Sequence, residues 1–149
     1  MEAIRMMSSA PPAFGCGSAL LVEEDVQILS SLRETLVAAG FEVHCAAGPS
    51  EAQRLLARHP YQLVVTDLQI AGANGAAGLD VISRARELNP FSRIVALTAT
   101  EGDVPRALLE TIGVEICRPI PGNVDRLRIQ IAAMVRTTRS ARIAQERSS

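Results

Sequence analysis

Five short apolar runs, each followed by apolar residues at helical spacing, constrain this 149-residue chain more than any other feature. Ala19–Val22, Phe41–Ala46, Leu63–Thr66, Arg93–Thr98 and Val114–Cys117 are mostly apolar or β-branched and too short to be helices. Leu29, Leu32 and Leu36 mark the first helix, stopped by Gly40. Ala52, Leu55 and Leu56 mark the second, with Pro49 in its first turn and Pro60 beyond its end. Leu79, Ile82 and Leu88 mark the third, which stops near Asn89-Pro90. Val104, Leu108, Leu109 and Ile112 mark a short fourth, closed by Gly113. Leu127, Ile131, Met134 and Val135 face inward from the last. Strands alternating with helices predict an α/β fold with a doubly wound parallel sheet of order 2-1-3-4-5, covered on both faces.

The chain reads as one domain over 18–135. A Ser-, Pro- and Gly-containing arm at 1–17, expected to be flexible, precedes it, and a basic tail at 136–149 follows. The tail carries Arg136, Arg139, Arg142 and Arg147. As the solvated end or frayed extension of the last helix it needs no function, and a basic docking element is the sharper reading. The 48% hydrophobic content suits a packed core, and no apolar stretch is long enough to span a membrane. A net charge of −1 and 3% aromatic residues give no argument for nucleic acid. Cys16, Cys45 and Cys117 have no paired spacing, so neither a zinc site nor a disulfide framework is expected. His44 and His59 read as ordinary edge or surface residues.

The strand ends carry the chemistry. In open α/β sheets, ligands bind beyond the carboxyl ends of the strands. Those ends carry Glu23-Glu24-Asp25, Asp67, Thr98 and Arg118-Pro119. Alone, the acidic triplet reads as a cap on the first helix, since acids favour a helix start. Together, two carboxylate-bearing ends, a hydroxyl and a cation suit a divalent ion and phosphoryl chemistry.

The segments Leu21-Val22-Glu23-Glu24-Asp25, Val65-Thr66-Asp67-Leu68, Val95-Ala96-Leu97-Thr98-Ala99 and Cys117-Arg118-Pro119 resemble the response regulator receiver domain, in matching order and spacing. The resemblance covers roughly 18–135 and implies a flavodoxin-like (βα)5 fold and a role in two-component phosphorelay signalling. It places the phosphoacceptor at Asp67, and magnesium on Glu23, Glu24, Asp67 and the carbonyl of Gln69. Thr98 matches the switch hydroxyl, and Arg118 stands where the family usually has lysine. The implied partners are a histidine kinase or phosphotransfer protein and an unknown output protein. The expected protein is a cytoplasmic, stand-alone receiver rather than an enzyme. It is a monomer or weak homodimer that contacts neither membrane nor nucleic acid.

Four positions depart from the family pattern. Glu24 replaces the usual aspartate, and its extra methylene displaces a ligand of magnesium's tight octahedron, which weakens the ion's binding. Arg118 is a planar fork in place of a point charge, able either to pair with a phosphate or to lock onto Asp67 at rest as a built-in counter-ion. Glu115 sits near where many receivers have an aromatic residue that rotates on activation, and a charge there needs a partner to be buried. Ala71 replaces a proline in a loop, Ala71–Gly78, that looks about three residues longer than the family's. These departures leave a second reading, a pseudo-receiver that binds partners without phosphoryl transfer. A haloacid dehalogenase-type phosphatase is disfavoured, since Gln69 is no general acid. A nucleotide-binding enzyme is disfavoured because no glycine-rich phosphate loop follows the first strand.

Overall fold

The computed structural model describes residues 17–70, 75–98, 105–120 and 122–148, with side chains as far as Arg136. Most of the expected arm, with Cys16, lies outside the described residues, as do Ala71, Ala99, Val104 and the side chains of Arg139, Arg142 and Arg147. Strands and helices alternate in chain order as β1 (Gly17–Val22), α1 (Val26–Ala38), β2 (Phe41–Ala46), α2 (Pro49–Arg58), β3 (Leu63–Asp67), α3 (Ala76–Leu88), β4 (Arg93–Leu97), α4 (Arg106–Ile112), β5 (Val114–Cys117) and α5 (Val124–Ser148). All strand pairs are parallel and the order is β2-β1-β3-β4-β5, as the alternation predicts.

Each inner strand is buried on both faces because alternate residues feed opposite cores. Leu20, Val22, Val64, Ile94, Ala96 and Val114 pack with α2, α3 and α4. Ala19, Leu21, Leu63, Val65, Val95, Leu97 and Cys117 pack with α1 and α5, where Leu127, Ile131 and Val135 meet them. Burying each such Leu, Ile or Val stabilises the fold by roughly 1.5–3 kcal/mol.

Two boundaries bear on the sequence reading, and the first, which differs from it, shapes the site. First, α3 begins at Ala76, so Gly78 lies in its first turn rather than in the loop. A Cβ on Gly78 would lie 2.4 Å from the backbone oxygen of Leu68, so only glycine lets the helix start pass the chain leaving β3. Gly75 supports that entry with a left-handed backbone, φ 74°. Second, α5 runs unbroken to Ser148, so the backbone of the basic tail continues the last helix.

Candidate functional site

Sheet register brings the expected residues to one edge. Val22 pairs with Thr66, Asp67 with Leu97, and Leu97 with Cys117. Single hydrogen bonds extend these ladders past the strands: Glu23 N–H donates to Ala46 O at 3.0 Å, Leu68 N–H to Leu97 O at 2.9 Å, and Thr98 N–H to Cys117 O at 3.1 Å. Glu23 therefore stands beside Asp67, and Thr98 and Arg118 follow on the next two strands. Glu23 and Thr98 are each only 6% exposed, Asp67 and Gln69 are half-buried, and Glu24 and Arg118 are exposed.

The acidic triplet divides its work. Asp25 caps α1, its Oδ1 accepting from the N–H groups of Gln27 (2.9 Å) and Ile28 (3.1 Å). Glu23 accepts from the Asp25 N–H at 3.1 Å and stands beside Asp67, whose charge it feels. The capping reading thus holds for Asp25, while Glu23 turns into the site.

Two carboxylates this close on neighbouring strand ends oppose each other's ionisation. Burial first, and then the negative charge of Asp67, push Glu23 up to about 7, against the pull of the Asp25 N–H. Burial raises Asp67 as well, and the charge of Glu24 adds to this. The Gln69 N–H, 3.0 Å from Asp67 Oδ1, acts the other way.

The donor set is hard oxygen, the chemistry magnesium prefers. Its arrangement fits less well: among the described residues, no three acidic, histidine or cysteine side chains come together to hold a metal ion. Glu23 and Asp67 stand side by side, and Glu24 is exposed.

Arg118 follows β5 at the same edge. All fifteen cationic side chains of this chain are arginine, so an arginine at 118 follows a chain-wide habit rather than marking the site. The partner that Glu115 requires is Arg93, whose guanidinium grips both of its carboxylate oxygens. Strand sequence alone could not reveal that pair, because it forms between β4 and β5 through sheet register. Nor did the sequence reading anticipate the ring cluster of His44, His59 and Tyr61, in which His44 Nδ1 lies 2.7 Å from the Tyr61 hydroxyl. The thiols of Cys45 and Cys117 are free, and burial pushes both up. Among the described residues, no helix is long and apolar enough to cross a membrane.

Against known proteins, residues 19–132 match the response regulator receiver domain. A transcriptional regulatory protein CpxR homolog of Haemophilus influenzae is 31% identical over 121 residues, which cover 81% of this chain and 51% of that protein. The alginate biosynthesis transcriptional regulatory protein AlgB of Pseudomonas aeruginosa is 32% identical over 121 residues, covering 78% of this chain and 25% of that protein. The chain thus spans about half the length of one of these curated relatives and a quarter of the other. A CheY-like receiver domain structure from Methanospirillum hungatei superposes with a TM-score of 0.65 at 20% identity, covering 84% of this chain and 98% of that one. The chemotaxis response regulator CheY4 of Vibrio cholerae does so with 0.61 at 19%, covering 78% and 98%. At these identities the structural matches speak for the fold.

Proposed function

The chain belongs to the response regulator receiver domain family, a signalling domain rather than an enzyme, and from that membership we propose that Asp67 accepts a phosphoryl group from a histidine kinase or phosphotransfer protein. The observation that carries this reading is the placement of Asp67. It is the last residue of β3, its Oδ1 is held by the Gln69 N–H, and strand register sets Glu23 of the neighbouring strand end beside it.

The ionised Asp67 oxygen attacks phosphorus. The phosphorus–nitrogen bond of the donor phosphohistidine breaks, its electron pair stays on the imidazole, and an acyl phosphate forms on Asp67. Titration shared with Glu23 sets how much Asp67 carboxylate is available. The Thr98 hydroxyl and the Arg118 guanidinium bond the phosphoryl oxygens. Magnesium, when bound by Glu23, Glu24, Asp67 and the Gln69 carbonyl, would neutralise the phosphoryl charge. We propose that it binds weakly, because those donors must first be drawn together. Output passes through protein–protein contact, and the setting we propose is cytoplasmic.

The second reading is a pseudo-receiver that binds partners without phosphoryl transfer. The absence of a metal-holding cluster among the described residues favours it. One experiment separates the two: incubation with acetyl phosphate and excess magnesium, followed by intact mass. Gain of one phosphoryl group by the native protein, and none by Asp67→Asn, is the expected result. An unchanged native mass leaves the pseudo-receiver.

A further inference from the structure

Arg93 opens β4, and Glu115 lies on β5. Strand alternation puts them on the side of Val95, Leu97 and Cys117, the face that α5 covers. Arg93 Nε and Nη2 donate to the two oxygens of Glu115, the latter at 2.7 Å. Its remaining nitrogen, Nη1, donates to the carbonyl of Met134 in α5 at 2.6 Å. The side chains of Arg93 and Glu115 are 20% and 43% exposed, so water screens the contact less than it would a surface pair. One planar fork thus joins β4, β5 and α5. A lysine, a point charge on a flexible stem, cannot hold the two-pronged carboxylate contact and the carbonyl in that geometry.

We propose that Arg93 is the positioning residue that passes the state of the Asp67 site to α5, in place of a rotating aromatic ring at position 115. This rests on the phosphoacceptor reading above. The shared element is β4. Thr98 follows its last residue, Arg93 is its first, and the four residues between them, Ile94 to Leu97, are at most 2% exposed. A short strand packed on both faces transmits displacement instead of absorbing it. Drawing the Thr98 hydroxyl towards a phosphorylated Asp67 pulls on β4, and Arg93 carries that pull to Glu115 and to the Met134 carbonyl. Elsewhere α5 lies on the sheet through apolar contacts of Leu127, Ile131 and Val135 and one long thiol bond, Cys117 Sγ to Gln130 Oε1 at 3.9 Å, all of which yield more readily than the short Arg93–Met134 hydrogen bond.

The test is amide hydrogen exchange across 128–138, before and after treatment with acetyl phosphate and excess magnesium. It compares the native protein, Arg93→Lys, and the paired swap Arg93→Glu with Glu115→Arg. The swap restores an ion pair between β4 and β5, but a carboxylate at 93 cannot donate to the Met134 carbonyl. Native protein is expected to change its exchange in α5 on phosphorylation. Both variants should take the phosphoryl group within about twofold of the native rate and lose the α5 response by about threefold or more. A merely structural ion pair predicts instead that the swap responds fully. A full response in the swap or in Arg93→Lys, or a phosphorylated native protein whose α5 does not respond, overturns the proposal and leaves the phosphoacceptor reading standing. A native protein that takes no phosphoryl group overturns both. If the swap fails to fold, Arg93→Lys decides.

Discussion

Burial and the neighbouring charge raise both Glu23 and Asp67, and this has consequences for pH. Folding raises Glu23 from its ordinary 4.5 to about 7. Below the lower value the acid is protonated in both folded and unfolded chains, and its contribution to stability is fully present. As pH rises, the unfolded chain releases its proton first, so that contribution is lost as pH passes the folded value. The loss should be roughly 1–3 kcal/mol, less than the shift alone implies at about 1.4 kcal/mol per unit of pKa, because Asp67 shares the titration. Urea unfolding of the native protein and of Glu23→Gln across this range should show it: the amide copies the protonated acid, so the stability of the native protein relative to the variant falls with pH. Parallel curves would rule out the raised pKa of Glu23. Glu24 is the second residue with a measurable consequence. Shortening it by one methylene in Glu24→Asp should tighten magnesium binding by on the order of tenfold in calorimetry, because magnesium tolerates little departure from its octahedron. Unchanged affinity would show that Glu24 does not set the weakness.

Among the elements, the start of α3 matters most to the site. Gly78 passes so close to Leu68 that any Cβ must push the backbone between Asp67 and Gln69. Gly78→Ala should therefore destabilise the fold by about 1–3 kcal/mol, the usual range for overpacking. It should also slow phosphorylation, because the displaced segment carries the N–H that fixes Asp67 Oδ1. Thermal melting and phosphoprotein yield against time would measure the two effects. Loss of stability with an unchanged rate would separate the helix start from the chemistry.

Across the whole molecule, Arg86 ties down the end of the sheet opposite the site. From α3 its guanidinium donates to four backbone carbonyls: Ile112 (2.9 Å), Gly113 (2.9 Å), Pro90 (2.8 Å) and Ser92 (2.6 Å). It thereby joins α3, the turn from α4 into β5 and the approach to β4. Removing it leaves four carbonyls without this donor, those of Ile112 and Ser92 in part-buried contacts. Arg86→Ala should cost about 2–4 kcal/mol in urea unfolding while leaving the charge at the strand carboxyl ends unchanged. A cost below about 0.5 kcal/mol would mean that water replaces all four bonds.

The sequence by itself determined the layered architecture. Strand length, β-branching, helical spacing and the Gly and Pro stops are local properties of chains such as Leu63–Thr66 and Ala52–Leu56, and they hold wherever the segment sits. Because the chemistry of a parallel sheet gathers at its carboxyl edge, the sequence also pointed to Glu23, Asp67, Thr98 and Arg118 at one edge. Contacts between segments far apart in the chain were decided by the tertiary structure. The triplet Glu23-Glu24-Asp25 is three similar carboxylates in sequence. Only packing assigns Asp25 to the helix cap and turns Glu23 towards Asp67, because only the register of β1 on β3 puts those two side by side. Gly78 looked like loop until the approach of Leu68 gave its missing Cβ a purpose. Glu115 required a partner that no local pattern could name, and the pairing of β4 with β5 supplied Arg93. Local propensity is written along the chain. A contact between residues 22 or 44 positions apart exists only once folding has closed the distance.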